Sequence, residues 1–333
     1  MAWVCDLRGI VGLVVNPVSG TDIRRVASTA SFIDNMQKVR IVKSILRGFE
    51  AMNVSKVLAM PDFYGIVAHA LWDSPRLDLD VEFVDIEPEG NYMDTVGSVE
   101  IMAKKGVGSI VLLGGDGTVR VASKASGDIP LLPVSTGTNN VIPYLVDGTI
   151  AGVAAAAVAN GWISRFEASY RIKKINVYVN GEYVDHGLVE VAGTRYPFVA
   201  SKAILDPSMV NEIVAVTAQP TSIGLASIIA MVRPVSPIED KAVYVKLGEG
   251  FRVRAILSPG VIGQVSVREY REIPIGSMVE LEKPLTVELD GERVLQVSEG
   301  DEVVVEPSSE GPYIINIDKV MHVISLKGYF IDR

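Results

Sequence analysis

The sequence predicts an α/β N-terminal domain with a parallel sheet, followed by an antiparallel β-rich domain. Three observations carry that expectation. Up to about residue 165, short apolar runs alternate with longer amphipathic stretches at helical spacing, the pattern of βαβ units. From about residue 170 the chain changes to short β-branched or alternating runs separated by turn pairs such as Asn180-Gly181 and Asp290-Gly291. The strands of the first part run into polar, glycine-bearing loops, the place where ligands bind in open parallel sheets. The expected boundaries are 1–166 for the α/β domain, 167–312 for the β-rich domain and 313–333 for a C-terminal segment returning to the first domain.

Ile10–Val15 reads as a buried strand, and Asp34–Phe49 carries apolar positions at helical spacing with Gly48 near its end. Val57–Met60 is a strand stopped by Pro61, Phe63–Trp72 a helix, Val81–Val84 a strand and Thr95–Lys105 a helix closed by Gly106. Ser109–Leu113 and Leu131–Val134 are strands that each lead into a small-residue loop, and a helix is expected to start near Thr118. In the second part, Lys174–Val179, Tyr183–Val191, Glu212–Ala218, Lys241–Leu247, Phe251–Ile256, Gln264–Arg268, Thr286–Leu289 and Glu302–Val305 read as strands, with a turn at Gly248–Gly250. Thr221–Met231 reads as a short helix, and the tail Ile314–Ile331 as an apolar, alternating segment.

The 333 residues suit two domains, and a hydrophobic fraction of 48% with 21% charged residues is ordinary for a soluble protein. The net charge of −9 argues against nucleic acid as a partner. It leaves anionic small molecules open, because backbone amides and a few local cations hold phosphate. Cys5 is the single cysteine, and His69, His186 and His322 are widely spaced, so no metal-ligand cluster is expected. No run reaches the ~18 consecutive apolar residues of a membrane span. The expectation is a soluble, cytoplasmic protein with no membrane partner.

Gly114-Gly115-Asp116-Gly117-Thr118 directly follows a predicted strand. Its glycines let backbone N–H groups approach a ligand closely, and a helix starting there favours an anion. Asp116 is the odd member: among those amides a carboxylate suits Mg²⁺ binding or acceptance of a hydroxyl proton. A tight turn with Asp116 capping the next helix is the simpler alternative for this loop alone. Two companion loops weigh against it: Asn16-Pro17-Val18-Ser19-Gly20 after the first strand, and Ser135-Thr136-Gly137-Thr138-Asn139-Asn140 after the strand at Leu131–Val134. The G-x-x-x-x-G-K-[ST] phosphate loop is missing, and Arg120 stands where a dinucleotide fingerprint needs its last glycine.

These residues resemble the superfamily of NAD kinases, diacylglycerol kinases and sphingoid kinases. Ser135–Pro143, Phe198–Asp206, Pro220–Ser227 and Asp22–Phe32 are similar to its AcoX-type, ATP-NAD kinase-like branch. The resemblance implies an NAD-kinase-like nucleotide-binding domain, ATP with Mg²⁺ as cofactors, and a site between the two domains. It implies Asp116 as the catalytic group. Asn16, Ser19, Gly20, Gly114, Gly115, Gly117, Thr118, Thr136, Gly137, Thr138, Asn139 and Asn140 are implied as nucleotide or phosphate contacts. Relatives often form dimers or tetramers, which implies a homo-oligomer. The Asn-Glu pair by which NAD kinases grip NAD is not found in Leu188-Val189-Glu190-Val191, and their Gly-Ser-Thr-Ala-Tyr run is only echoed at Thr221–Leu225.

Lys202, Arg120, Thr221 and Ser222 are candidate substrate contacts; an exposed helical face would account equally for Arg120 with Lys124. Arg24 and Arg25 are further candidates for the polyphosphate, while Asp290 reads as a turn residue and His186 as structural. The expected function is ATP-dependent phosphoryl transfer to a hydroxyl of a soluble small molecule, with NAD the named candidate. The alternatives are a kinase of another small alcohol or polyol, and a silent nucleotide-binding regulatory protein.

Overall fold

The computed structural model describes residues 9–20, 33–74, 76–136, 140–195, 209–291 and 293–331. The first half alternates strands and helices: β1 (Ile10–Val15), α1 (Asn35–Ala51), β2 (Lys56–Ala59), α2 (Ile66–Trp72), β3 (Val81–Phe83), α3 (Tyr92–Lys104), β4 (Ser109–Gly114), α4 (Asp116–Ser123), β5 (Leu131–Ser135) and α5 (Gly148–Ala159). The short α6 (Arg165–Ala168) and β6 (Ser169–Arg171) lead into the second half. Strands β3-β2-β1-β4-β5 lie side by side and all parallel. Helices cover both faces. Val42, Ile45 and Phe49 of α1 pack with α5 on one side, and Val99, Met102 and Val119 of α3 and α4 on the other. Each such fully buried side chain contributes roughly 1.5–3 kcal/mol.

Local signals set the boundaries. Asp34 caps α1 in a capping box: its carboxylate accepts from the Gln37 amide, and the Gln37 side chain accepts from the Asp34 backbone N–H. Asn91 caps α3, so that helix starts three residues ahead of the expected Thr95. Asp62 takes the amides of Tyr64 and Ile66, which keeps Phe63 and Tyr64 in a turn and delays α2 to Ile66.

The second half contains β7 (Lys174–Val179), β8 (Glu182–Gly187), β9 (Glu190–Thr194), β10 (Val210–Ala215), α7 (Leu225–Val232), β11 (Lys241–Ser258), β12 (Val261–Pro274), β13 (Val279–Glu280), β14 (Thr286–Leu289), β15 (Arg293–Gln296) and β16 (Val303–Ser308). Its pairings are all antiparallel, in a six-stranded sheet β12-β11-β10-β9-β14-β15 and a four-stranded sheet β13-β16-β7-β8. Ile175, Val177, Val214, Val287 and Val305 fill the space between the two sheets, and α7 covers the other face of the larger one.

Three expectations are corrected here. The run Tyr183–Val191 is not one strand: it breaks at Leu188-Val189, and β8 and β9 belong to different sheets. Gly248–Gly250 is an irregularity inside the single long strand β11, not a turn between strands, because pairing with β12 resumes at Phe251. The tail is mostly helical. After β17 (Tyr313–Ile315), which pairs with β5 and β6, comes α8 (Ile317–Leu326), burying Ile317, Val320 and Ile324 at helical spacing. No helix among the described residues is long and apolar enough to cross a membrane.

Candidate active site

Two of the predicted loops meet directly. The Asn16 side chain donates to Thr118 Oγ1 at 2.9 Å, tying the loop after β1 to the first turn of α4. The Asn16 side-chain oxygen accepts from the Val18 amide, and its carbonyl accepts from Ser19 Oγ at 2.8 Å. Gly20 has φ +78°, and a Cβ there would lie 2.8 Å from the Thr136 carbonyl, so only glycine lets this loop touch the one after β5. Behind them Lys38, fully buried in α1, donates to the carbonyls of Asn16 and Pro17 and to Asn35. Nothing in the spacing of the sequence pointed to Lys38.

The helix after the glycine loop starts at Asp116 rather than near Thr118, with Gly115 as its extended N-cap. A Cβ on Gly114 would come within 2.3 Å of Thr118 Oγ1, so the close fold of this turn requires the glycine. The Asp116 carboxylate accepts from the amides of Val141 (2.9 Å) and Ile142 (2.8 Å), and the residue is 6% exposed. It therefore faces the segment after β5. Gly117 and Thr118, one and two residues on, line a cavity of about 470 Å³ on another side of the same turn.

That cavity runs beside α4, from Asn16, Pro17, Gly117 and Thr118 past Val121 to Lys124. Phe63, Tyr64 and Tyr92 supply its aromatic wall, and Asp185 and Arg293 close it from the second half of the chain. Its size lies in the range of small-molecule sites. Asp62 and Asp94 also line it, each engaged with backbone amides: Asp62 with Tyr64 and Ile66, Asp94 with Glu89 and Gly90. Burial raises the Asp62 carboxyl above its ordinary value although these amides pull it down.

Arg120 is engaged in the interior. It is 5% exposed, with Nη1 3.3 Å from Asp185 and Nε 3.5 Å from Asp290. Asp185 also meets Lys124 at 2.7 Å and Arg293 at 3.9 Å. Burial alone would raise the Asp185 carboxyl, but the Lys124 hydrogen bond, the His186 amide and the Arg120 charge hold it below the usual value. Asp290 is a turn residue, as the sequence suggested: it sits at φ 53° before Gly291, between β14 and β15. Its carboxylate has a second task, accepting from the amides of Leu188 (2.9 Å) and Val189 (2.8 Å), the corner at which β8 and β9 part.

Ser135 and Asn140 are joined by a 2.7 Å hydrogen bond, and Thr136 is buried beside them. Gly137, Thr138, Asn139, Lys202, Arg24 and Arg25 lie outside the described residues. Ser222 accepts from the Gln219 amide in the turn before α7; neither it nor Thr221 lines the cavity. His186 is buried and neutral, lowered to about 4 by burial, between Ser123 Oγ and Tyr183 OH at 2.8 Å each. Among the described residues no three His, Cys, Asp or Glu gather to hold a metal ion. A Mg²⁺ carried by phosphates needs only one or two protein carboxylates. Asp116 is the one carboxylate within the glycine loop Gly114–Thr118.

Residues 11–161 match the family described as ATP-NAD kinase N-terminal domain, and residues 173–310 the one described as acetoin catabolism protein X C-terminal domain. The chain is 32% identical over 311 residues to acetoin catabolism protein X of Cupriavidus necator H16, an alignment covering 89% of this chain and 87% of that protein.

Proposed function

Because this chain belongs to the family of acetoin catabolism protein X, with an ATP-NAD kinase-type N-terminal domain, we propose that it is an ATP-dependent phosphotransferase acting on a hydroxyl of a soluble small molecule. The observation that carries this reading is the division of labour around the first turn of α4. Gly117 and Thr118 face the cavity, where they would cradle phosphates, while the Asp116 carboxylate faces the Val141-Ile142 segment.

Nucleotide would lie along α4 with its base against Phe63, Tyr64 or Tyr92 and its phosphates at Asn16, Gly117 and Thr118. The acceptor would approach from the Asp116 side. There the carboxylate, fixed by two amides, takes the hydroxyl proton as the acceptor oxygen forms its bond to the γ-phosphorus and ADP leaves. Asp116 would help to hold a Mg²⁺ carried by the phosphates, and the ion would supply neutralisation of their charge.

NAD is the named acceptor to test first. A different small alcohol or polyol is the second reading: the Asn-Glu pair of NAD kinases is not found in the stretch Leu188-Val189-Glu190-Val191, where Leu188 and Val189 are buried with both amides turned to Asp290. The name of the relative ties that protein to acetoin, which supports a small soluble acceptor. The test incubates protein, ATP and Mg²⁺ with NAD or with a panel of small hydroxy compounds, for wild type and Asp116→Asn. Phosphorylated product from the wild type alone supports the reading. ATP binding without product from any acceptor favours the regulatory alternative, and no ATP binding overturns the nucleotide reading.

A further inference from the structure

The cavity ends in an arrangement that phosphoryl transfer at the glycine loop does not use. Lys124 and Arg293 come from opposite halves of the chain, yet they converge on one carboxylate, Asp185, at 2.7 and 3.9 Å. They also converge on one ring, lying 5.9 and 5.7 Å from the centroid of Tyr92. Arg120 takes the remaining side of Asp185, so three cations address a single anion, and only Arg120 has a second partner in Asp290. Two like charges held side by side repel each other unless an opposite charge offsets them.

The three cations differ in burial. Arg120 is almost wholly enclosed and holds α4 against the β domain. The side chains of Lys124 and Arg293 are 27% and 44% exposed, and both residues line the cavity. The other acids of the cavity wall, Asp62 and Asp94, make their hydrogen bonds to backbone amides, and neither pairs with Lys124 or Arg293 among the described residues. The pair thus presents donors to the cavity, with one shared carboxylate, Asp185, in the same wall.

We propose that Lys124 and Arg293 form a second anion subsite, which takes a phosphate carried by the ligand at its end away from the glycine loop. Lys124, the C-cap of α4, is seven residues beyond Gly117, so the two anion positions are about 10 Å apart along the helix axis. The subsite stands on this geometry. Its ligand class, a nucleotide bearing a second phosphate away from its 5′ chain, rests on the nucleotide reading above. Asp185 and Tyr92 act as positioning residues that gather the two cations.

The test is calorimetric titration of AMP, ADP and adenosine 2′,5′- and 3′,5′-bisphosphate into wild type, Lys124→Met and Arg293→Met, all of which keep the buried Arg120–Asp185 pair. The wild type should bind one of the bisphosphates about tenfold tighter than AMP, the effect of a charge-assisted contact. Each variant should lose most of that gain and keep the gain from AMP to ADP. Equal affinity for AMP and both bisphosphates, or a gain that survives in both variants, overturns the proposal. If the wild type binds no nucleotide, the nucleotide reading fails, and inorganic phosphate decides for the subsite alone. Thermal stabilisation of the wild type but not of the doubly substituted protein supports it, and equal response overturns it.

Discussion

Asn16 and Thr118, 102 residues apart in sequence, are joined by a 2.9 Å hydrogen bond between their side chains. This contact sets the loop after β1 against the first turn of α4, and both residues line the same cavity. Asn16→Ala and Thr118→Val should each cost about 1 kcal/mol in urea unfolding. The double variant should cost less than their sum, because both single changes break one bond. ATP affinity should fall in all three.

Arg120 in α4 and Lys124 at its C-cap share Asp185, but their substitutions should differ sharply. Arg120→Leu takes from Asp185 its innermost partner and from Asp290 the charge at 3.5 Å, a loss of roughly 3–5 kcal/mol. Lys124→Met removes a partly exposed partner and should cost under about 1 kcal/mol. Chemical denaturation of the two variants checks the order; equal losses would contradict the structural role given to Arg120.

His186 should make stability depend on pH. Its folded value is lowered to about 4 from an ordinary 6.5 by burial, so between those values the unfolded chain binds a proton that the folded protein does not. The contribution is present above pH 6.5 and is lost as pH falls toward 4, a change of roughly 3 kcal/mol. Urea midpoints measured over that window should fall steeply for the wild type and more gently for His186→Gln.

Asp290 combines a turn conformation with buried hydrogen bonds, and two substitutions separate them. Asp290→Asn keeps a residue suited to φ 53° and an acceptor oxygen for the Leu188 and Val189 amides, losing the charge beside Arg120. Asp290→Ala loses all three and should cost about 3 kcal/mol or more. Thermal unfolding should rank wild type above Asn and Asn well above Ala.

Much of the α/β half is legible in sequence because local chemistry decides it. Ser109–Leu113 is an uninterrupted apolar run before glycines, and α1 shows its buried face at helical spacing. The break at Leu188-Val189 is not legible, since an apolar pair looks the same inside a strand or at a corner. What makes the corner is Asp290, about 100 residues later. The ion pairs of Arg120, a candidate substrate contact, are not legible either, because its two carboxylates, Asp185 and Asp290, are far away in the chain. The cluster of Lys124, Arg293 and Tyr92 is hidden for the same reason. The tail misled through composition: Ile314–Ile331 is apolar enough to read as extended, and only the spacing of Ile317, Val320 and Ile324 marks its helix.

The pairing of β17 with β5 has a consequence for how the protein is made. The sheet that carries the glycine loops receives a strand from residues 313–315, and α8 packs beside α5, after the whole β domain has been threaded between. A ribosome releases the first five parallel strands long before it releases the piece that borders β5. During that interval the flank of β5 is open, and a nascent chain must keep it from pairing with a neighbour. Completion of the α/β half is thereby timed to the arrival of residues 313–315, so a message cut short within the β domain would yield a product with an unfinished sheet.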